Sequence, residues 1–191
     1  MFYSAHCEID CCTKLAGLIR QGDTAFWRVV PIRGYGLDLQ CHFALLNEQT
    51  GPLGRIIAAL TGSPSYHVET YLGDNAPAEV REIAEAGLGR PYDYEGALRA
   101  WNDSGFHTPG REFCSGWAAE ILGPEVQGLS PYPNPGKLML DLAAMQGVTL
   151  PEIPKLDVRI GDKDTEYLYW LRDQGHIATG VLQETLLAFE A

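Results

Sequence analysis

Between residues 113 and 122 the apolar positions Phe113, Trp117, Ala118, Ile121 and Leu122 recur with a helical period. Leu15, Leu18 and Ile19 share that spacing near the start of the chain. Further helices are expected over 53–60, stopped by Gly62 and Pro64, over 79–86, ended by Gly87 and Gly89, and over 137–145. Three segments read as strands: 25–32, ending at Pro31; 37–46, closed by the turn-rich residues 47–52; and 66–72, followed by the turn signal Gly73-Asp74-Asn75. Side chains alternate across a strand, so His67, Glu69 and Tyr71 share one face, and Val68, Thr70 and Leu72 share the other, more apolar one. Pro-rich 130–136 is irregular, and Pro151 and Pro154 mark a boundary between 1–150 and a C-terminal extension, 151–191. In the extension a short strand (156–160) precedes an amphipathic helical pair (164–191). The order of elements predicts an α+β fold, with a small antiparallel sheet packed against the 113–122 helix.

Composition narrows the function classes. The 191 residues are 46% hydrophobic and 20% charged, enough for a core of ordinary size and not a disordered composition. Fourteen basic against twenty-five acidic residues give a net charge of −11. Phosphate backbones need a clustered basic surface, so no nucleic-acid partner is expected. Uninterrupted apolar runs such as 56–60 are far shorter than the roughly 20 residues of a membrane span. Residues 1–12 carry His6, Glu8 and Asp10 and lack the basic start and apolar run of a secretory signal. The expectation is synthesis in the cytoplasm without a membrane span. The helical pair 164–191 is expected to pack on its own domain, with docking of a protein partner as the alternative.

Five cysteines, an odd number, do not form a secreted disulfide framework. Cys7 and Cys11 make one half of a zinc-type pair beside His6 and Cys12, but only Cys41 offers a further thiol, so idle thiols are expected and no cofactor is implied. Cys114 is different, because it falls in the first turn of a helix. Unpaired N–H groups and the helix dipole there favour a thiolate, the attacking species, and can stabilise an oxyanion beside Ser115. A histidine on a neighbouring strand completes a Cys–His pair. His67 lies in the strand candidate 66–72. His42, in a strand, reads as a half-buried histidine bonded to backbone. His176 lacks the strand-then-Gly-Asp context, and His107 lies in a loop edging the cleft.

Leu88-Gly89-Arg90-Pro91-Tyr92-Asp93-Tyr94-Glu95-Gly96, followed by Phe113-Cys114-Ser115-Gly116, resembles the nucleophile block of NlpC-type cell-wall peptidases. The stretch from Tyr66 to Asn75 resembles their histidine block, which here precedes the cysteine. That order is similar to the circularly permuted papain-like branch, which holds YiiX-like proteins, lecithin:retinol acyltransferase relatives and small phage-encoded proteins. The resemblance spans about residues 20 to 145. It departs from many permuted members at Gly116, where they carry an acidic residue. It implies a permuted papain-like fold, Cys114 as nucleophile and His67 as general base and later acid. Tyr92 and Ser115 would lie at the substrate or oxyanion. Glu69, and alternatively Glu79, would orient the histidine. The implied activity is hydrolysis of an amide bond, in a peptide or peptidoglycan stem peptide, by a phage tail-associated or cell-wall enzyme. The alternatives are a lipid esterase or acyltransferase of the same branch, and a non-catalytic phage assembly protein.

Overall fold

The computed structural model describes residues 1–3, 27–46, 51–62, 65–102, 105–150, 152 and 158–190. Four strands, β1 (Phe2–Tyr3), β2 (Trp27–Pro31), β3 (Leu39–Leu46) and β4 (Ser65–Leu72), form one antiparallel sheet in the order β1-β4-β3-β2. Seven helices are described: α1 (Pro52–Thr61), α2 (Ala78–Ala86), α3 (Tyr94–Arg99), α4 (Cys114–Leu122), α5 (Pro135–Gln146), α6 (Asp162–Asp173) and α7 (Thr179–Glu190). The architecture is α+β, as the alternation of patterns predicts.

The β3–β4 register sets Leu39 opposite Leu72, Cys41 opposite Thr70 and Phe43 opposite Val68. Val30 lies opposite Cys41 on β2. These residues share one face and are almost wholly buried. The other face of β4 carries Ser65, His67 and Glu69, with Ala44 opposite His67 and His42 opposite Glu69. Those three polar residues are buried too. Helices α1, α4 and α5 all pack against β4, so the strand is covered on both sides. Alternation alone leads one to expect one buried face; three polar groups under cover on the other must find partners or serve chemistry.

Helix ends follow local chemistry. Gly62 closes α1 and Gly147 closes α5, both left-handed. Asn134 caps α5 by accepting the Lys137 N–H at 2.8 Å, with Pro135 in the first turn.

Two expectations change. The strand expected at 156–160 is irregular over 158–160, while 156 and 157 lie outside the described residues. The Arg159 carbonyl accepts instead from the Arg55 guanidinium of α1 at 3.2 Å, so at that position a side chain takes the place of a ladder partner. The stretch 94–99, for which no helix is expected, forms the short α3. The apolar residues of the C-terminal pair, Leu168, Leu171, Ile177, Val181 and Leu182, are buried in one continuous core with the sheet and α1. Arg55 pairs with the buried Asp164 at 3.2 Å, and the Ala178 N–H donates to Glu95 at 3.0 Å. The extension therefore packs on the domain that precedes it. Leu15, Leu18 and Ile19, and the cluster His6, Cys7, Cys11 and Cys12, lie outside the described residues.

Candidate active site

The loop before α4 is held by backbone pairing. The Glu112 N–H donates to the Pro91 carbonyl at 3.0 Å, and the Asp93 N–H to the Glu112 carbonyl at 2.8 Å. This bridge lays Tyr92 beside Glu112, two residues ahead of Cys114. Phe113 is extended (φ −122°) and Cys114 is the first helical residue. The first main-chain bond of the helix runs from the Trp117 N–H to the Phe113 carbonyl at 2.9 Å. The N–H groups of Cys114, Ser115 and Gly116 thus precede any intrahelical acceptor and point out of the helix start.

Cys114 is buried, and its sulfur is hydrogen-bonded to His67 on β4. The same ring meets Glu69, whose Oε1 lies 3.5 Å from Nε2, with both side chains about a tenth exposed. At that separation the contact is an ion pair and not a short hydrogen bond. Burial opposes a charged imidazole, but the contact with Cys114 and the ion pair with Glu69 outweigh it, holding the pKa of His67 at about 9. His67 is therefore an imidazolium at neutral pH, set between a sulfur and a carboxylate. A proton at that ring is available to a leaving group.

Glu69 is flanked on its other side by His42, its cross-strand partner. Gln40 explains how His42 is set. Its amide nitrogen donates to the Leu37 carbonyl at 2.9 Å, which turns its oxygen toward His42 Nε2, also at 2.9 Å. Nε2 must then be the protonated nitrogen of His42. Burial lowers the pKa of His42, and Glu69 opposes this only in part. A side-chain partner thus holds His42, and the sheet face under Cys114 reads His67, Glu69, His42, Gln40.

The other candidates fall elsewhere. Glu79 is exposed in the first turn of α2, where a carboxylate favours the helix dipole. The Ser115 side chain is fully buried and donates to the Pro133 carbonyl at 2.7 Å. Its hydroxyl proton is engaged in that tether, which leaves the main-chain N–H of Ser115 as its donor toward an oxyanion. The His176 ring lies tilted against Tyr94, with centroids 5.0 Å apart, and Tyr94 in turn meets Tyr92 edge-on at 4.8 Å. His107 stacks on Tyr132 at 4.2 Å, and its Nε2 bonds the Arg111 carbonyl at 2.7 Å. Cys41 is wholly buried on β3, where desolvation, with Cys114 nearby, pushes its thiol far up.

Two supporting groups escaped the sequence reading. Asp93, fully buried, caps α3 by accepting the Gly96 N–H at 2.9 Å; it also accepts the Thr108 N–H at 2.7 Å and hydroxyl at 2.8 Å. It thereby pins both arms of the loop carrying Tyr92 and Glu112. The signal was present as Asp93 three residues before Gly96, an N-cap spacing. Arg90 donates to Glu112 at 2.6 Å and to Glu120 at 3.2 Å, tying the same loop to α4. Burial, then the Glu120 charge, raises the pKa of Glu112 against the pull of Arg90.

Among the described residues no group of three or more His, Cys, Asp or Glu side chains is placed to hold a metal ion, and no helix is long and apolar enough to cross a membrane. Comparison of the chain with protein-family models, with curated protein sequences and with solved structures finds no match in any of the three.

Proposed function

We propose that the protein is a cysteine hydrolase that cleaves an amide bond in a peptide of the peptidoglycan stem type, on a circularly permuted papain-like fold. The observation that carries this reading is the contact of Cys114, first residue of α4, with a buried His67 whose Nε2 faces Glu69. Attack of the Cys114 thiolate on the carbonyl carbon forms the C–S bond, and the oxygen takes up charge toward the N–H groups at the start of α4. His67 passes its proton to the leaving amine as the C–N bond breaks, leaving an acyl-enzyme. Water, losing a proton to the neutral His67, then attacks the thioester and releases the acid and the Cys114 thiolate, which restores the starting imidazolium. Glu69 acts as a positioning residue, because its charge holds the ring and favours its cationic state. No metal or organic cofactor takes part in this scheme. A phage tail or a cell-wall setting accords with the resemblance in sequence.

The test is digestion of purified peptidoglycan fragments by wild type and Cys114→Ala, followed by mass spectrometry. New amine ends released by the wild type alone support the peptidase. Release from lipid esters in place of amides assigns the chemistry to an esterase of the same fold, and no turnover of either with a sluggish Cys114 thiol overturns the hydrolase.

A further inference from the structure

A cavity of about 570 Å³ opens between α1, the start of β4 and the start of α5, in the size range of small-ligand sites. Its walls include the apolar Ile57 and Leu60 of α1 and Trp101; its polar lining comes from Ser65 and from the first two turns of α5, notably Gly136, Lys137 and Asp141. Two links join it to the candidate active site. Ser65 is on the same face of β4 as His67, two residues or about 6–7 Å along the strand. Asn134, which caps α5, follows Pro133, whose carbonyl is held by Ser115 next to Cys114.

Ser65 is 3% exposed, and its Oγ has no hydrogen-bond partner. A hydroxyl left unsatisfied in a buried wall is costly unless a ligand completes it. The start of the 12-residue α5 supplies donors to the same space. Asn134 takes the Lys137 N–H with its side chain and the Leu138 N–H with its carbonyl, which leaves the Gly136 N–H as a first-turn donor not used by the cap. Serine hydroxyl, glycine N–H and lysine ammonium together suit an anion. The Lys137 ammonium is shared with Asp141 at 2.9 Å, so the side-chain charges of the pocket cancel, and the helix start adds only about half a positive charge. That balance favours a singly charged carboxylate over a doubly charged phosphate. The apolar walls favour an apolar body next to it.

We propose that this cavity is a specificity subsite that takes the free C-terminal carboxylate of a short peptide ending in an apolar residue. The inference rests on the hydrolase reading only in placing the scissile amide near that end of the substrate; the binding site itself does not depend on turnover.

The test uses the full chain carrying Cys114→Ala, titrated with N-acetyl-alanyl-leucine and with its C-terminal carboxamide, followed by amide NMR shifts and calorimetry. The free acid is expected to bind about tenfold or more tighter than the carboxamide, the advantage of a charge-assisted contact, with shifts centred on Ser65, Gly136 and Lys137. Ser65→Ala should remove most of that preference, and Lys137→Met should remove part of it. Equal affinity for acid and carboxamide, or full preference retained in Ser65→Ala, overturns the proposal. In the wild type, the bound acid should also slow alkylation of Cys114. Carboxylate-selective binding with no such protection and no turnover would keep the binding site and refute the hydrolase.

Discussion

The charge state of His67 is the quantity on which the chemistry turns, and it can be measured directly. The imidazole is held at about 9 against an ordinary 6.5. That interval corresponds to about 3 kcal/mol in favour of the imidazolium. Burial alone works in the opposite direction; of the contributions that oppose it, the hydrogen bond to Cys114 is the largest. Replacing Cys114 by alanine leaves burial in force and only Glu69 to offset it. The proton affinity of His67 should fall at least about tenfold, and Glu69→Gln should lower it as well. Histidine ring signals followed by NMR from pH 5 to 10 read both effects. Stability must follow with a definite sign. Below pH 6.5 the imidazole is protonated in the folded and unfolded chains, and the full contribution is present. Between 6.5 and 9 the folded chain holds more protons than the unfolded one, so stability falls as pH rises. The loss across that window has an upper bound of about 3 kcal/mol and should shrink in Cys114→Ala. A wild-type midpoint at or below 6.5, or one unmoved in both variants, would refute the reasoning. The observed step belongs to the Cys114–His67 pair as a unit.

Three further outcomes are expected. Asp93→Asn keeps an oxygen for the Gly96 N–H and Thr108 hydroxyl but turns an NH₂ group toward the Thr108 N–H; urea denaturation should show a loss of about 1–3 kcal/mol, and an unchanged midpoint would count against this role. A Cβ at Gly87 would lie 2.2 Å from Trp117 Nε1, so Gly87→Ala should cost about 1–3 kcal/mol as an overpacked core does and lower Tm by several degrees. Leu168→Ala removes a side chain with no exposed surface from the shared core and should cost about 2–5 kcal/mol in one cooperative transition; two separate transitions would mean that the C-terminal helices fold apart from the sheet.

Much of the secondary structure could be read locally. Helices over 113–122 and 137–145 show their period, strands 37–46 and 66–72 their alternation, and Gly62, Gly147 and Asn134 sit at the ends where their conformational or capping preferences place them. The position of Cys114 at a helix start was legible for the same reason: it depends on neighbours within one turn. α3 escaped because six residues containing a glycine are too few to display a period, and its cap is completed by Thr108, fifteen positions from Asp93.

Alternation along β4 is enough to put Glu69 on the face of His67; what separated it from Glu79 was the cover over that face, since both groups are buried there while Glu79 lies exposed on α2. Ser115 and Ser65 make the same point in opposite directions. The two serines differ because one meets a carbonyl eighteen residues away and the other stands without a hydrogen-bond partner in the lining of a cavity. From the sequence alone came the kinds of element and the atoms capable of chemistry, since periodicity, capping and side-chain reactivity act over a few residues. The tertiary structure decided which of those atoms meet, and which polar groups are left without a partner, because burial and hydrogen bonding are settled by segments that lie far apart along the chain.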